Sequence, residues 1–312
     1  MNVLRRQYET SDDYRRLREF FRGLRASDPR SGANWHVCDF DYWRWHFMEN
    51  VWERPLDELR YWEGSDGEVA GVLVQGEPGV LHPMADPKTR TEALLHDMVE
   101  TAESEFIVEL ADGRRGLFFW VQEGDAPIQS VLEARGYEPP PEGRGTDYYG
   151  WQPLKDAPSE PRIPEGYTVR SMGDADELPS RSLASWRAFH PAEPDEGADP
   201  SGLWYRNVQR SPSYRRDLDV VAIDQQNGSI AAFSTAYFDD VTRTGVIVLV
   251  GTSTDHQCKG LGRAVVTEAL RRLHWMGAVG ARVTWTEHVP GLLYQSCGFA
   301  DFEIGKAWRR FF

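Results

Sequence analysis

Cysteine is scarce: Cys38, Cys258 and Cys297 are the only three in 312 residues. So few, and an odd number, build no disulfide framework, and no two have the spacing of a metal pair, so a reducing compartment is expected. Long apolar runs are missing as well. No stretch approaches the roughly eighteen apolar residues of a membrane span, and the opening MNVLRRQYETSDDYRR has no apolar segment of signal-peptide length. A cytoplasmic protein is therefore expected. The eight histidines show no paired ligand spacing, and no metal is expected. Positive charge is in deficit, with 35 Lys and Arg against 49 Asp and Glu and a net charge of −14. Such a chain repels nucleic acid and anionic membranes and draws in a cationic small molecule.

Apolar and aromatic residues are plentiful. At 40% apolar with 12 Trp, the chain can bury real cores, and its length suits two domains. Residues 246–250 (VIVLV) are an unbroken β-branched run of strand length, and apolar residues at 261, 265, 269, 270 and 273 keep a helical period. A strand thus feeds a helix through the turn Gln257-Cys258-Lys259-Gly260-Leu261-Gly262. Two glycines let the backbone come close to a ligand and turn N–H groups toward it, while the helix N-terminus adds unpaired donors and partial positive charge. Such a turn can hold a pyrophosphate, with Lys259 and Arg263 adding charge-assisted contacts. A Gly-x-Gly pair before a helix can equally be a tight turn and nothing more.

Residues 281–285 (ARVTW) read as the next strand, and residues 292–299 (LLYQSCGF) as a short helix closing on Gly298. Strand, Gln-x-x-Gly-x-Gly, helix, strand and Leu-Tyr-x-Ser-x-Gly-Phe, in this order and at this separation, resemble the GCN5-related N-acetyltransferase (GNAT) superfamily over roughly residues 163–312. The resemblance implies transfer of an acyl group, usually acetyl, from coenzyme A to an amine in a ternary complex. It places the pyrophosphate on the backbone of Gln257, Cys258, Lys259, Gly260, Leu261, Gly262 and Arg263. It also implies that the end of the preceding strand splays from its neighbour, so that Leu249, Val250 and Thr252 pair with pantetheine and Val250 helps polarise the thioester. Tyr294 matches the tyrosine that protonates the departing thiolate in many members; alternatively it packs on the CoA.

Earlier in the chain the same order of elements is legible. A strand over residues 2–8 precedes a helix capped by Thr10 to Asp13, and a hairpin turns at Ser65-Asp66-Gly67. Residues 91–105 and 127–135 read as helices around the strand 117–121. Arg135-Gly136-Tyr137 falls on Cys297-Gly298-Phe299, but Thr91 and Ala93 stand where the second half has glycines, with Glu92 between them. A carboxylate there repels phosphate. The expected fold is therefore α/β: two GNAT-like domains in tandem, each a mixed, mostly antiparallel sheet flanked by helices. Residues 1–153 would be a degenerate copy without the pyrophosphate motif, residues 154–166 a proline-rich linker, and residues 167–312 the acyl-CoA-binding domain. Tandem arrangements of this kind occur in the superfamily.

Two departures from the family pattern stand out. The glutamate that many relatives carry on the central strand falls on Val246 or Val248, and a CoA-orienting asparagine falls on Glu287. Replacement bases are Asp239, Asp240, Asp255, His256, Glu287 and His288, although Asp255 and His256 suit a bracing role better. Trp35, Trp43 and Trp45 could wall a pocket, but core packing is the expectation for them. The expected activity is N-acylation of a small-molecule amine by acetyl-CoA or another acyl-CoA. The alternatives are a non-catalytic CoA-binding pseudoenzyme or regulatory module, and a protein or peptide N-acetyltransferase. The sequence is silent on oligomeric state.

Overall fold

The computed structural model describes residues 3–32, 34–51, 59–286 and 288–312. Asn2 and Glu287 lie outside them. Strand β1 (Leu4–Gln7) leads into helix α1 (Ser11–Ser27), entered through a capping box in which Thr10 and Asp13 each satisfy the other's backbone N–H. Leu17, Phe20, Phe21 and Leu24, spaced at three and four residues, form its buried face. The aromatic-rich segment becomes α2 (Val37–Tyr42) and runs on as π-helix over Trp43–Val51. There follow β2 (Leu59–Glu63), β3 (Val69–Glu77), β4 (Val80–Ala85), α3 (Glu92–Glu105), β5 (Val108–Glu109), β6 (Arg115–Gln122), α4 (Ala126–Ala134) and β7 (Thr146–Pro153).

A second series comprises β8 (Tyr167–Ser171), α5 (Leu178–Phe189), α6 (Leu203–Gln209), β9 (Asp219–Asp224), β10 (Ile230–Asp239) and β11 (Thr244–Thr252). It continues through α7 (Leu261–Trp275), β12 (Gly280–Trp285), α8 (His288–Ser296) and β13 (Asp301–Phe311). Pro179 sits in the first turn of α5, where its missing N–H costs nothing. Helix α8 starts at His288, four residues before the expected 292, with Pro290 tolerated in its first turn.

The chain divides into two compact units that exchange segments. One comprises Met1–Val37, Arg54–Tyr149 and Phe302–Phe312; the other comprises Cys38–Glu53 and Gly150–Asp301. A single cut at residues 154–166 does not separate them, because residues 38–53 and the last strand each belong to the unit other than their neighbours in sequence.

In the first unit the strands run β1-β2-β3-β4-β6-β13, antiparallel except for β4 and β6. The last strand pairs with β6 from Gly305 opposite Gln122 to Phe311 opposite Gly116. Trp62, Leu73, Met98, Phe119, Leu132 and Trp308 share its core. In the second unit the order is β8-β9-β10-β11-β12, again antiparallel except for the final pair, β11 and β12. A parallel pair needs a crossover, and α3 and α7 supply it in the two units.

Candidate active site

Strand β11 is where the second unit opens. Its parallel pairing with β12 runs from Thr244 opposite Gly280 to Ile247 opposite Val283 and then stops, although both strands continue. On the other side the pairing with β10 continues to Thr252 through a register shift, because Thr235 faces Leu249 while Ala236 faces Ile247. That bulge leaves Val248 unopposed and re-aims the strand. Burial changes at the same point: residues 244–247 are buried and 248–252 are half-exposed. Leu249, Val250 and Thr252 therefore lie on a strand end whose β12-facing backbone has no ladder partner among the described residues.

Beyond β11 a single 3-10 turn, Thr254–His256, leads to the start of α7. None of the backbone N–H groups of residues 258–263 donates to another described atom; the first α7 bond is Ala264 N–H to Gly260 O. Cys258 and Gly260 both take positive φ, 59° and 87°, and Gly260 is the N-cap with no capping side chain. Alternating left- and right-handed residues turn successive amides to one side, which makes an anion nest at the positive end of a helix dipole. Gly262 differs: a Cβ there would meet Thr252 Oγ1 and Leu293 Cδ2 at an ordinary 3.4 Å, so neighbouring side chains do not demand a glycine. Gln257 ties the turn to β11 through Nε2 donation to Thr252 O at 3.3 Å. Lys259 Nζ donates to Tyr167 Oη and Asp255 O, both at 3.1 Å, and Arg263 is exposed.

Tyr294, on α8, is 7% exposed, with its ring 5.7 Å from Trp285 and 6.1 Å from Phe299. Its hydroxyl makes no hydrogen bond to the described protein. Burial, with the neighbouring Cys297, pushes the phenol above its ordinary value and keeps it protonated.

Leu249 also borders a cavity of about 360 Å³ walled by His46, Trp186, Phe189, Trp204 and Tyr205. The loop after α5 closes one side of it: Arg187 forms a two-pronged ion pair with Asp195, and Trp186 Nε1 donates to Pro194 O. Tyr205 is fixed by Asp219, a fully buried carboxylate that accepts from Tyr205 Oη at 2.6 Å, Tyr214 Oη at 2.9 Å and Thr235 Oγ1 at 3.0 Å. Arg181 is also fully buried. Its guanidinium lies over the Tyr205 ring at 4.2 Å and the Phe233 ring at 3.5 Å, with no hydrogen-bond partner among the described residues.

The sequence profile of the Acetyltransferase (GNAT) family matches residues 183–299, which contain β11, the nest, α7 and Tyr294. These residues are a GNAT-family domain. Mycothiol acetyltransferase of Tsukamurella paurometabola is 26% identical over 226 residues, 67% of this chain and 70% of that protein. The Streptomyces coelicolor protein of the same name is 26% identical over 153 residues, 48% of each. The chain thus spans about half the length of some curated relatives it matches. Among solved structures, a tandem GNAT protein from the clavulanic acid biosynthesis pathway aligns over 99% of this chain and 98% of its own, with a TM-score of 0.66 and 14% identity. A GCN5-related N-acetyltransferase from Sphaerobacter thermophilus covers 99% and 95%, with a TM-score of 0.64 and 15% identity. The fold of the whole chain is that of tandem GNAT proteins.

Within the GNAT domain the expected replacement bases scatter. Asp239 pairs with Thr244, at the opposite end of β11 from Leu249, about 16 Å away at ~3.3 Å per residue. Its Oδ2 accepts from Thr242 N and Oγ1, so it serves the β10–β11 turn. Asp240 is in the same turn. His256 Nδ1 is bonded to Tyr167 Oη at 2.9 Å, and Asp255 faces Arg187 at 3.5 Å: both brace the turn. His288 is exposed at the start of α8. Burial raises the Cys297 thiol, the wrong direction for a nucleophile.

The tryptophans also sort differently from their order in the sequence. Trp43 is core, and Trp45 lies between the Arg44 and Arg210 guanidiniums at 4.7 and 4.8 Å. Trp35 stacks with Phe21 in the first unit. Trp186 and Trp204 wall the cavity instead, with His46, which the helical period of its segment gave no reason to single out.

The corresponding turn in the first unit is closed. Thr91 caps α3 by accepting from Leu94 N–H, and Asp86 accepts from Lys88 N–H. Arg90 is held by both oxygens of Asp125 at 2.7 Å. Of the amides set against residues 258–263, that of Leu94 is satisfied by the Thr91 side chain and those of Thr89 and Arg90 by the Asp86 carbonyl at 2.9 Å.

Proposed function

We propose that the protein is an N-acyltransferase, acetyl being the foremost acyl group, that acts by direct attack of a small-molecule amine on acyl-CoA within a ternary complex. The observation that carries this reading is the coincidence of six amides at residues 258–263, without an acceptor among the described residues, with the end of β11 that has left β12. One can take the pyrophosphate, the other the pantetheine arm, and Leu249 leads from that strand end into the aromatic cavity. The open β11 amides near Val250 suit a developing oxyanion, an interaction worth roughly 3 kcal/mol when well aimed.

In the reaction the amine nitrogen bonds to the thioester carbon and the carbon–sulfur bond breaks. Tyr294 gives its proton to the departing thiolate, and the proton lost by the amine leaves through water. β11 offers no carboxylate, since Val246 and Val248 occupy it, so the amine arrives neutral or sheds its proton to solvent or to a group off that strand, His190 of the cavity wall being one. An acceptor entering as an ammonium would meet the Trp204 ring, the Trp186 ring that stacks on His190 at 3.9 Å, and Asp199. Burial would lift that carboxyl, but hydrogen bonds from Ser201 and the Trp204 amide outweigh it and hold Asp199 below its ordinary value. The degenerate character of the first unit, with its capped turn, belongs to the same proposal.

Thiol release from acetyl-CoA across a panel of amines tests the reading: release dependent on a small amine supports it. For Tyr294→Phe the turnover number should fall at least tenfold with the KM for acetyl-CoA little changed; an unchanged turnover number removes the acid role. The absence of a β11 carboxylate favours one rival, a CoA-binding module without catalysis, which predicts tight CoA binding and no amine-dependent release.

A further inference from the structure

His46 and His190 both border the cavity with Leu249, and the surroundings of His46 deny it the role of a base. Three side chains beside it lock one another's orientation. Arg210 can only donate, and its Nη1 faces Asn207 Oδ1 at 3.4 Å, so Asn207 turns its Nδ2 to Asn50 Oδ1 at 2.7 Å. Asn50 Nδ2 then faces the Trp204 carbonyl at 2.9 Å and His46 Nδ1 at 3.0 Å. A carbonyl oxygen can only accept, so Trp204 independently fixes which end of the Asn50 amide carries the hydrogens. Both of its hydrogens are then committed, and Nδ1 of His46 must accept. An imidazole that accepts at Nδ1 is neutral and holds its proton on Nε2.

The electrostatics agree with the geometry. Burial and the Arg181 charge push His46 down to about 4, so the charged form is absent near neutral pH. Tyr42 stacks on the ring at 4.8 Å and Trp204 meets it edge-on at 6.3 Å, which holds its plane. Nε2 makes no hydrogen bond to the described protein.

We infer that His46 is a specificity-determining donor of the acceptor cavity: its Nε2–H is fixed by the Asn50–Asn207–Arg210 relay and recognises an oxygen that the acceptor carries near its amine. This rests on the cavity being the acceptor site of the proposed acyltransferase. The ligand class it selects is a small amine with an apolar or aromatic body and a hydrogen-bond-accepting oxygen, over the same amine with a methylene in place of that oxygen.

Two readouts on the full chain test it. The first is the 15N shift pattern of histidine-labelled protein near neutral pH, with His46 assigned by its loss in His46→Gln. The expected pattern is a protonated Nε2 and an unprotonated Nδ1, and Asn50→Asp should move the proton to Nδ1; a wild-type ring protonated at Nδ1, or at both nitrogens, overturns the inference. The second is calorimetric binding of 2-phenoxyethylamine and 3-phenylpropylamine, which differ by one ether oxygen that accepts but cannot donate. Wild type should favour the ether by about threefold to tenfold, the worth of one hydrogen bond, and His46→Phe should lose that preference. Equal affinities in wild type, or binding of neither amine, overturn it. Neither readout requires turnover, so an absence of amine-dependent thiol release with both results intact would count against the acyltransferase reading alone.

Discussion

Gly260 and Gly262 stand two residues apart for different physical reasons. Gly260 has φ of +87°, which an L side chain adopts at a cost of about 1–2 kcal/mol, whereas a Cβ at Gly262 meets its neighbours at ordinary contact distance. Gly260→Ala should therefore lower stability in urea unfolding by about 1–2 kcal/mol, and Gly262→Ala should leave it unchanged or slightly raised. Both should weaken CoA binding in a titration, the first by moving the nest and the second by placing a methyl over it. Equal stability losses would mean the two positions were misread. Arg181 offers a second test at this scale. With its buried charge removed in Arg181→Met, His46 should titrate above its present value of about 4, yet stay below 6.5 because burial is the larger cause. An unmoved titration in NMR would show that the guanidinium does not act on the ring. The glycine pair was legible in the sequence because its meaning is local. Arg181 was not, because nothing in its neighbours announces two aromatic rings from other elements.

At the scale of elements, regular periodicity gave the helices and strands, and departures from regularity gave the site. Helix α1 was legible through its capping box and three-four spacing, and α7 through residues 261, 265, 269, 270 and 273. The bulge opposite Thr235 and the parting of β11 from β12 leave no local signature, since the VIVLV run reads the same paired or unpaired. The π-helix over Trp43–Val51 defeats a 3.6-residue period, so His46 was hidden in a segment noticed only for its aromatics. That element carries a pH consequence. His46 binds a proton near 6.5 when unfolded and near 4 when folded, so in that window the unfolded chain holds the extra proton. Over that range Asp147, whose carboxyl is raised to about 7 by burial and Glu77, acts in the opposite direction. The His46 contribution should be flat above pH 6.5 and fall as the pH drops toward 4, by up to about 3 kcal/mol. His82, pushed down to about 3 by burial, adds to the same limb. His46→Gln should remove part of the slope in denaturant titrations run at successive pH values; an unchanged slope would place the loss elsewhere.

Across the whole molecule, the order of elements in the second half repeats that of the first, and this much followed from aligning Gly136 with Gly298. What could not be read was the exchange of segments. The last strand carries no mark of which sheet it joins, yet β13 lies along β6 over seven residue pairs. Deleting residues 302–312 should expose the amides of β6 to rapid hydrogen exchange while those of β10 keep their protection; uniform loss across both units would contradict the division. The most direct test of the account is an amide NMR titration comparing CoA with pantetheine, which lacks the pyrophosphate. The amides of residues 258–263 should shift with CoA and stay still with pantetheine, and those of residues 91–94 should respond to neither. Shifts centred on residues 91–94, or none at 258–263 under saturating CoA, would contradict it.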